Sequence, residues 1–311
     1  MGSNVLVTGA GGPAGVGVMR ALIAAGHRVT AADSDVDAVG FAFADAAVLP
    51  RAHDPAFTEA VCCTALDVGA DTLVCTLEEE MLVLCGGEAT LADVGLRSWL
   101  PSADTIRVCA DKWAFAVRLA AAGACAPTTG LGTADGVPGP WIVKPRFGRG
   151  SRDVCAVDSE DELDWALRRV PRAIVQTRMP GREFTSDALV DRSGSVAGAV
   201  HRWRLETRGG ISTKGETFLD DRVSALVADV LAAVGLSGPA CVQGFVDDDG
   251  RVACTEVNAR FSGGLPLSLA AGADLVGEYV RGVQGLPVRP DRLRARPGVR
   301  MVRCFQDVFR G

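Results

Sequence analysis

The sequence predicts an α/β fold that becomes α+β in its C-terminal part, and three observations carry that expectation. Over the first hundred residues short apolar strands alternate with helices, the pattern of a parallel sheet. A glycine-rich stretch, Gly9-Ala10-Gly11-Gly12-Pro13-Ala14-Gly15, lies between the first strand and the first helix. Near the C-terminus the strands 240–246 and 252–260 flank Asp247-Asp248-Asp249-Gly250, whose Asp and Gly tolerate the positive φ of a hairpin turn.

A chain of 311 residues has room for two or three domains or lobes. A net charge of −6 argues against a broad nucleic-acid footprint. No apolar run reaches the roughly 18 to 20 residues that span a bilayer, and the chain opens on a strand instead of a charged leader, so a soluble, cytoplasmic protein is expected, with no membrane partner. The ten cysteines sit mostly in apolar segments without a C-x-x-C pair, which points to buried reduced thiols. Only Lys112, Lys144 and Lys214 are lysine among 32 basic residues. Where arginine dominates so strongly, a retained lysine marks a place for a compact point charge.

In chain order, residues 4–8 form a strand, the glycine-rich turn follows, then a helix over 16–25 stopped by Gly26, and a strand over 28–32 that delivers Asp33. Gly9-x-Gly11-x-x-Ala14 with an acid 22 residues beyond Gly11 has the form of a dinucleotide fingerprint, and equally of a tight strand-to-helix turn without a nucleotide. A strand near 46–49 precedes a helix opened by Asp54-Pro55 and running to Val68. A strand over 71–76 leads to Glu78-Glu79-Glu80 at a helix start, where an open sheet places ligands and where acids also favour a helix N-terminus; Glu79 and Glu80 are substrate candidates. Residues 96–100 read as a further strand.

From Ser102 the texture changes. Asp111-Lys112-Trp113 opens a helix to about Ala122. The strand Trp141-Ile142-Val143-Lys144-Pro145 ends in a Gly/Arg/Ser loop over 146–151, suited to phosphates because backbone N–H groups form a concave anion site beside a lysine. Ser159 with Glu162 makes a capping box for a helix to Arg169. Strands over 173–177, 184–190 and 195–205 follow, the last carrying Arg202, Arg204 and Glu206 at period two. Gly209 to Gly215, with Lys214, reads as a flexible loop. A helix over 221–234 precedes the hairpin, and another runs over 274–283. The basic tail 289–303 receives no assignment.

In the hairpin, Glu256, Asn258 and Arg260 share one face. A carboxylate and an amide oxygen are hard ligands for a hard cation, and Gln243 on the partner strand can supply a third. Arg260 then faces whatever anion the metal holds.

The ordered set Asp111-Lys112, Lys144-Pro145 before a Gly/Ser loop, Gln176 with Glu183 seven residues on, Gln243, and Glu256-x-Asn258-x-Arg260 resembles the ATP-grasp superfamily, in its carbamoyl-phosphate-synthetase-like branch of short carboxylate–amine ligases. The resemblance implies a Rossmann-like domain over 1–103 that generally holds no NAD, a small ATP-grasp lobe over 104–176 with the glycine-rich lid loop, and a large lobe over 177–311 with the metal site. It implies that Lys112, Lys144, Gly148, Gly150 and Ser151 contact ATP phosphates, that Gln176 and the backbone near Met179 meet the adenine, and that Glu183 takes the ribose. Gln243, Glu256 and Asn258 would hold Mg²⁺, two ions in all, with Mn²⁺ as a substitute. Arg260 would stabilise the transferring phosphoryl group, with Lys214 and Arg202 as further catalytic candidates.

The implied reaction joins a small carboxylate, amino-acid-like in character, to an amine or ammonia through an acyl phosphate, releasing ADP and phosphate. It needs positioning and charge neutralisation more than a nucleophilic side chain. Dimers are common in the family, so a homodimer belongs to the expectation. Two alternatives stand beside it: an NAD(P)-dependent oxidoreductase resting on Gly9 to Gly15 and Asp33, and an ATP-binding protein of the same fold without turnover.

Overall fold

The structure, a computed structural model, describes residues 2–148, 150, 152–304 and 306–309, so Ser151 lies outside the described residues. Short, mostly apolar runs near the N-terminus build β1 (Asn4–Thr8), β2 (Arg28–Asp33), β3 (Asp45–Val48) and β4 (Thr72–Cys75), a parallel sheet in the order β3-β2-β1-β4. Alternation along β1 sends its side chains to two cores. Leu6 packs with Phe57, Val61 and Leu84, while Val5 and Val7 pack with Val18 and Leu22 and with Phe261, Leu265 and Tyr279 from the far end of the chain. The C-terminal segment thus covers one face of the first sheet.

The second sheet is antiparallel: β5 (Thr129–Leu131), β6 (Trp141–Pro145), β7 (Cys155–Val157) and β8 (Ala173–Thr177), ordered β5-β8-β6-β7. With the helix Glu160–Arg169 it encloses its own core of Val143, Val157, Leu163, Ala166 and Val175. The third sheet, also antiparallel, runs β13-β12-β9-β10-β11-β14 from β9 (Arg182–Val190), β10 (Val196–Arg208), β11 (Ile211–Phe218), β12 (Gly238–Val246), β13 (Val252–Asn258) and β14 (Arg300–Val302). Helices Lys112–Ala121 and Asp221–Ala233 bury its back through Phe115, Leu119, Val223, Val227 and Val230.

Several expectations change. Residues 209–215 are no loop: Arg208 pairs with Ile211 across a two-residue turn, so Lys214 stands on β11. Gly209 and Gly210 have φ of 54° and 76°, the doubly positive turn that matches strand twist and that glycine adopts without strain. Residues 96–100 contribute only a bridge between Arg97 and Thr72. Trp99 fixes that segment by its side chain, stacking on Tyr279 at 5.6 Å and donating to Ser237 Oγ at 2.8 Å, while its carbonyl accepts from the Tyr279 hydroxyl. The helix expected from Asp54-Pro55 starts at Phe57, and helices Glu88–Asp93 and Ala103–Ala110 and the strand β14 in the basic tail are additions. No described helix is long and apolar enough to cross a membrane.

Behind β10, His201 is buried between Ser186 Oγ (2.7 Å) and Ser224 Oγ (2.8 Å), and burial pushes its pKa down to about 4, with Asp220 opposing the shift. The native state therefore holds this imidazole neutral while the unfolded chain protonates it below its ordinary pKa of 6.5. Its contribution is complete above pH 6.5 and is lost as pH falls toward 4, up to about 3 kcal/mol. Urea unfolding at pH 7, 5.5 and 4.5 is expected to show the stability of the wild type relative to His201→Gln falling by that amount as the pH drops, a difference in which the other titrating groups cancel; a constant difference would count against it.

Candidate active site

The three sheets meet around one cleft of about 1080 Å³. Its floor toward the first sheet comes from the carboxyl ends of β1 and β4, including Gly9, Gly11 and Thr76. The second sheet supplies Lys144 and Gln176, and the third supplies Glu183, Gln243, Glu256 and Asn258, with Arg260 just past β13.

Lys144 is 8% exposed at the end of β6. Burial lowers its pKa to about 8; the carboxylate of Glu256 pulls it back up and the neighbouring charge of Lys112 pushes it further down. Lys112 opens its helix because Asp111 caps it, Oδ1 accepting from the N–H groups of Trp113 and Ala114. The same carboxylate receives Arg146 in two hydrogen bonds of 2.7 and 2.5 Å. Lys112 Nζ donates to the Gly148 carbonyl at 2.7 Å, and its backbone N–H to Arg146 at 3.1 Å. Helix and glycine loop are thus fastened together, and Gly148 and Gly150 both line the cleft.

On the opposite sheet Gln243 and Glu256 are cross-strand partners next to a β-bulge. Asn258 Nδ2 donates to Glu256 Oε1 at 3.1 Å, and Arg260 donates to Asn258 Oδ1 at 2.8 Å and to the Phe261 carbonyl at 3.0 Å. The period-two face expected from sequence is therefore a linked row. Glu183 pairs with Arg204 at 3.2 Å; burial raises its pKa, Arg204 lowers it and Glu256 raises it again. Gln176 is buried on β8 and donates to Thr129 Oγ1 at 3.0 Å, and Met179 lines the cleft beyond it.

Arg202 lines the cleft from a buried position, held by Asp187 at 2.9 Å and Ser262 Oγ at 3.1 Å. Lys214 is not among the lining residues: it is half exposed and pairs with Glu206 at 2.8 Å, because the hairpin turn puts it on a strand where a mobile loop was expected. Glu79 and Glu80 do not line the cleft either. Glu80 is buried, its pKa raised to about 7 by desolvation, with Cys75 Sγ 3.5 Å from Oε2. Glu78 does not line the cleft either, but its Oε1 accepts from the Ala259 N–H at 3.0 Å, bridging the first sheet to the end of the hairpin. Its pKa is raised by burial, lowered by Arg260 and raised by Glu256.

No group of three His, Cys, Asp or Glu able to hold a metal occurs among the described residues. The wall does carry one carboxylate and two side-chain amides, hard oxygen donors. Glu256 also destabilises the ionised forms of both Glu78 and Glu183. That mutual repulsion is relieved by a cation, so the donor set fits a hard divalent ion that completes its shell with ligand oxygens.

A family model described as "ATP-grasp in the biosynthetic pathway with Ter operon" matches residues 169–306. No curated protein matches the sequence. Among solved structures, biotin carboxylase from Campylobacter jejuni superposes with a TM-score of 0.74 at 17% identity, covering 94% of this chain and 74% of that one. L-amino acid ligase from Bacillus licheniformis gives 0.73 at 18%, covering 95% and 77%. Carboxyaminoimidazole ribonucleotide synthase from Aspergillus clavatus gives 0.74 at 16%, covering 94% and 80%. These likenesses establish a shared fold.

Proposed function

We propose, from the premise that this chain is a member of the ATP-grasp superfamily, that it is an ATP-dependent ligase joining a small carboxylate to an amine through an acyl phosphate. In this reading residues 1–103 form a Rossmann-like domain, 104–176 a small lobe and 177–311 a large lobe. The observation that carries it is the polarity of the cleft. Lys112 and Lys144 approach closely enough to repel, while Glu256, within electrostatic reach of Lys144, heads a row of oxygen donors and Arg260. Two lysines and a cation-seeking wall make a receptacle for a metal-bound triphosphate.

Gln243, Glu256 and Asn258 would hold Mg²⁺, which when bound neutralises phosphate charge. Lys112 and Lys144 bind the phosphate oxygens, Arg260 is oriented by Asn258 toward the transferring phosphoryl group, and Glu183 takes the ribose hydroxyls. A substrate carboxylate oxygen attacks the γ-phosphorus, the bond to the β–γ bridging oxygen breaks, and ADP leaves. The amine then attacks the acyl carbon and phosphate departs with the electron pair of the C–O bond. In the purified protein ADP is expected to form only with the right carboxylate present, and hydroxylamine to trap a hydroxamate. Formation of AMP and pyrophosphate would overturn the acyl-phosphate route.

Gln243 is neutral where an acid would hold the ion harder. Gln243→Glu is expected to lower the Mg²⁺ concentration needed for half-maximal ADP release by about tenfold. An unchanged Mg²⁺ dependence would remove Gln243 from the ligand set.

The geometry of the glycine turn does not favour a dinucleotide. Asp33 accepts from the Gly11 N–H at 2.7 Å and from the Asp35 N–H at 3.0 Å. The carboxylate that would take a ribose is thus engaged in bracing its own turn, and a backbone donor that would meet a pyrophosphate is already used.

A further inference from the structure

We propose that Thr129, which does not itself line the cleft, determines the preference for adenine over guanine by fixing which end of the Gln176 amide faces the nucleotide. The inference rests on the reading of the cleft as a nucleotide site.

Thr129 and Gln176 are directly opposed in the antiparallel pair β5–β8, so their side chains stand on one face of the sheet. On the other side of Gln176, Ile142 of β6 is its cross-strand partner and lines the cleft as an apolar surface. The Thr129 hydroxyl lies 3.0 Å from the Pro127 carbonyl and 3.0 Å from the Gln176 side-chain amide.

The chemistry of these three groups orders the protons. A carbonyl oxygen can only accept, so the single hydroxyl proton of Thr129 goes to Pro127. The hydroxyl oxygen can then only accept, so Gln176 must turn its NH₂ toward Thr129. Flipping the amide would either set two acceptors against each other at 3.0 Å or take the hydroxyl proton away from Pro127 and leave that carbonyl without it. Gln176 is 4% exposed and has little freedom to escape by changing rotamer. Its carbonyl oxygen accepts no hydrogen bond from any described residue, and it is the end of the amide left for a base.

Adenine carries an amino donor at position 6, whereas guanine carries a carbonyl acceptor there. A fixed oxygen therefore welcomes adenine and repels guanine. A site built on one such polar contact discriminates by about tenfold to a hundredfold. Thr129 is a positioning residue: it acts on the base only through Gln176.

The test is direct binding of Mg·ATP and Mg·GTP to the full chain, by displacement of a fluorescent nucleotide, for wild type, Thr129→Val and Thr129→Ser. Valine keeps the shape and removes the hydroxyl; serine restores it. The wild type is expected to favour ATP by about tenfold or more, Thr129→Val to bring the two affinities within about threefold, and Thr129→Ser to restore the preference. A Thr129→Val preference equal to wild type, or an equal loss of both nucleotides, would overturn the role of Thr129. Equal wild-type affinities would overturn the fixed amide while leaving nucleotide binding in place. Failure of the wild type to bind either nucleotide would remove the ATP reading, and this inference with it.

Discussion

Lys144→Met is expected to produce a chain that is harder to unfold and binds ATP at least about a hundredfold more weakly. Burial holds the ammonium at a pKa of about 8, against an ordinary value of 10.5. Each unit is worth about 1.4 kcal/mol, so keeping this lysine charged inside the fold costs up to about 3 kcal/mol at neutral pH. The sign follows from proton counting: between pH 8 and 10.5 the unfolded chain binds more protons than the native one, so stability rises with pH across that window and the penalty is complete below it. Methionine fills the same space without charge and removes the penalty. Urea unfolding at pH 7 with nucleotide titration on the same samples checks both halves. A less stable variant with wild-type ATP affinity would mean that Lys144 serves packing alone. The same reasoning gives a wild-type signature: phosphate oxygens stabilise the ammonium, so nucleotide binding at pH 8 takes up protons, visible as a heat that depends on the ionisation enthalpy of the buffer.

Glu256→Gln is expected to lower kcat by on the order of 10³ at saturating ATP. The change keeps shape and hydrogen-bonding length but removes the only carboxylate from the row Gln243, Glu256 and Asn258. It also removes the charge that raises the pKa of both Glu78 and Glu183, so those two carboxyls should titrate lower in the variant. Carbon-detected NMR of the glutamate carboxyls follows that shift independently of turnover. Wild-type kcat with unchanged Mg²⁺ dependence would show that the row holds no metal.

What the sequence made legible was whatever depends on neighbours in the chain. The period of two along 252–258 put Glu256 and Asn258 on one face, Asp111-Lys112-Trp113 announced the helix that carries Lys112, and the end of the strand 141–145 located Lys144. Where local chemistry has two outcomes the reading went astray: Gly209-Gly210 is as much a tight hairpin turn as a slack linker, and in the structure β11 pairs with β10 across that turn and, on its other edge, with β14 from a tail that carried no assignment of its own. The bridge from Glu78 to the hairpin was hidden because its partner, the Ala259 N–H, lies far along the chain. The Arg202–Asp187 pair is hidden for the same reason, since only the register of β9 against β10 brings the two together.

The contact between Lys112 and the Gly148 carbonyl has a thermodynamic meaning. In the free protein this cation already has an oxygen to hold, supplied by a loop that lines the cleft. Under the proposed function, nucleotide binding at Lys112 is an exchange in which one acceptor replaces another, and its affinity is the difference between two contacts. Releasing that carbonyl removes one fastening between loop and helix, while the Arg146 contacts to Asp111 and to the Lys112 N–H remain. The second sheet, which carries this loop between β6 and β7, keeps a core of its own.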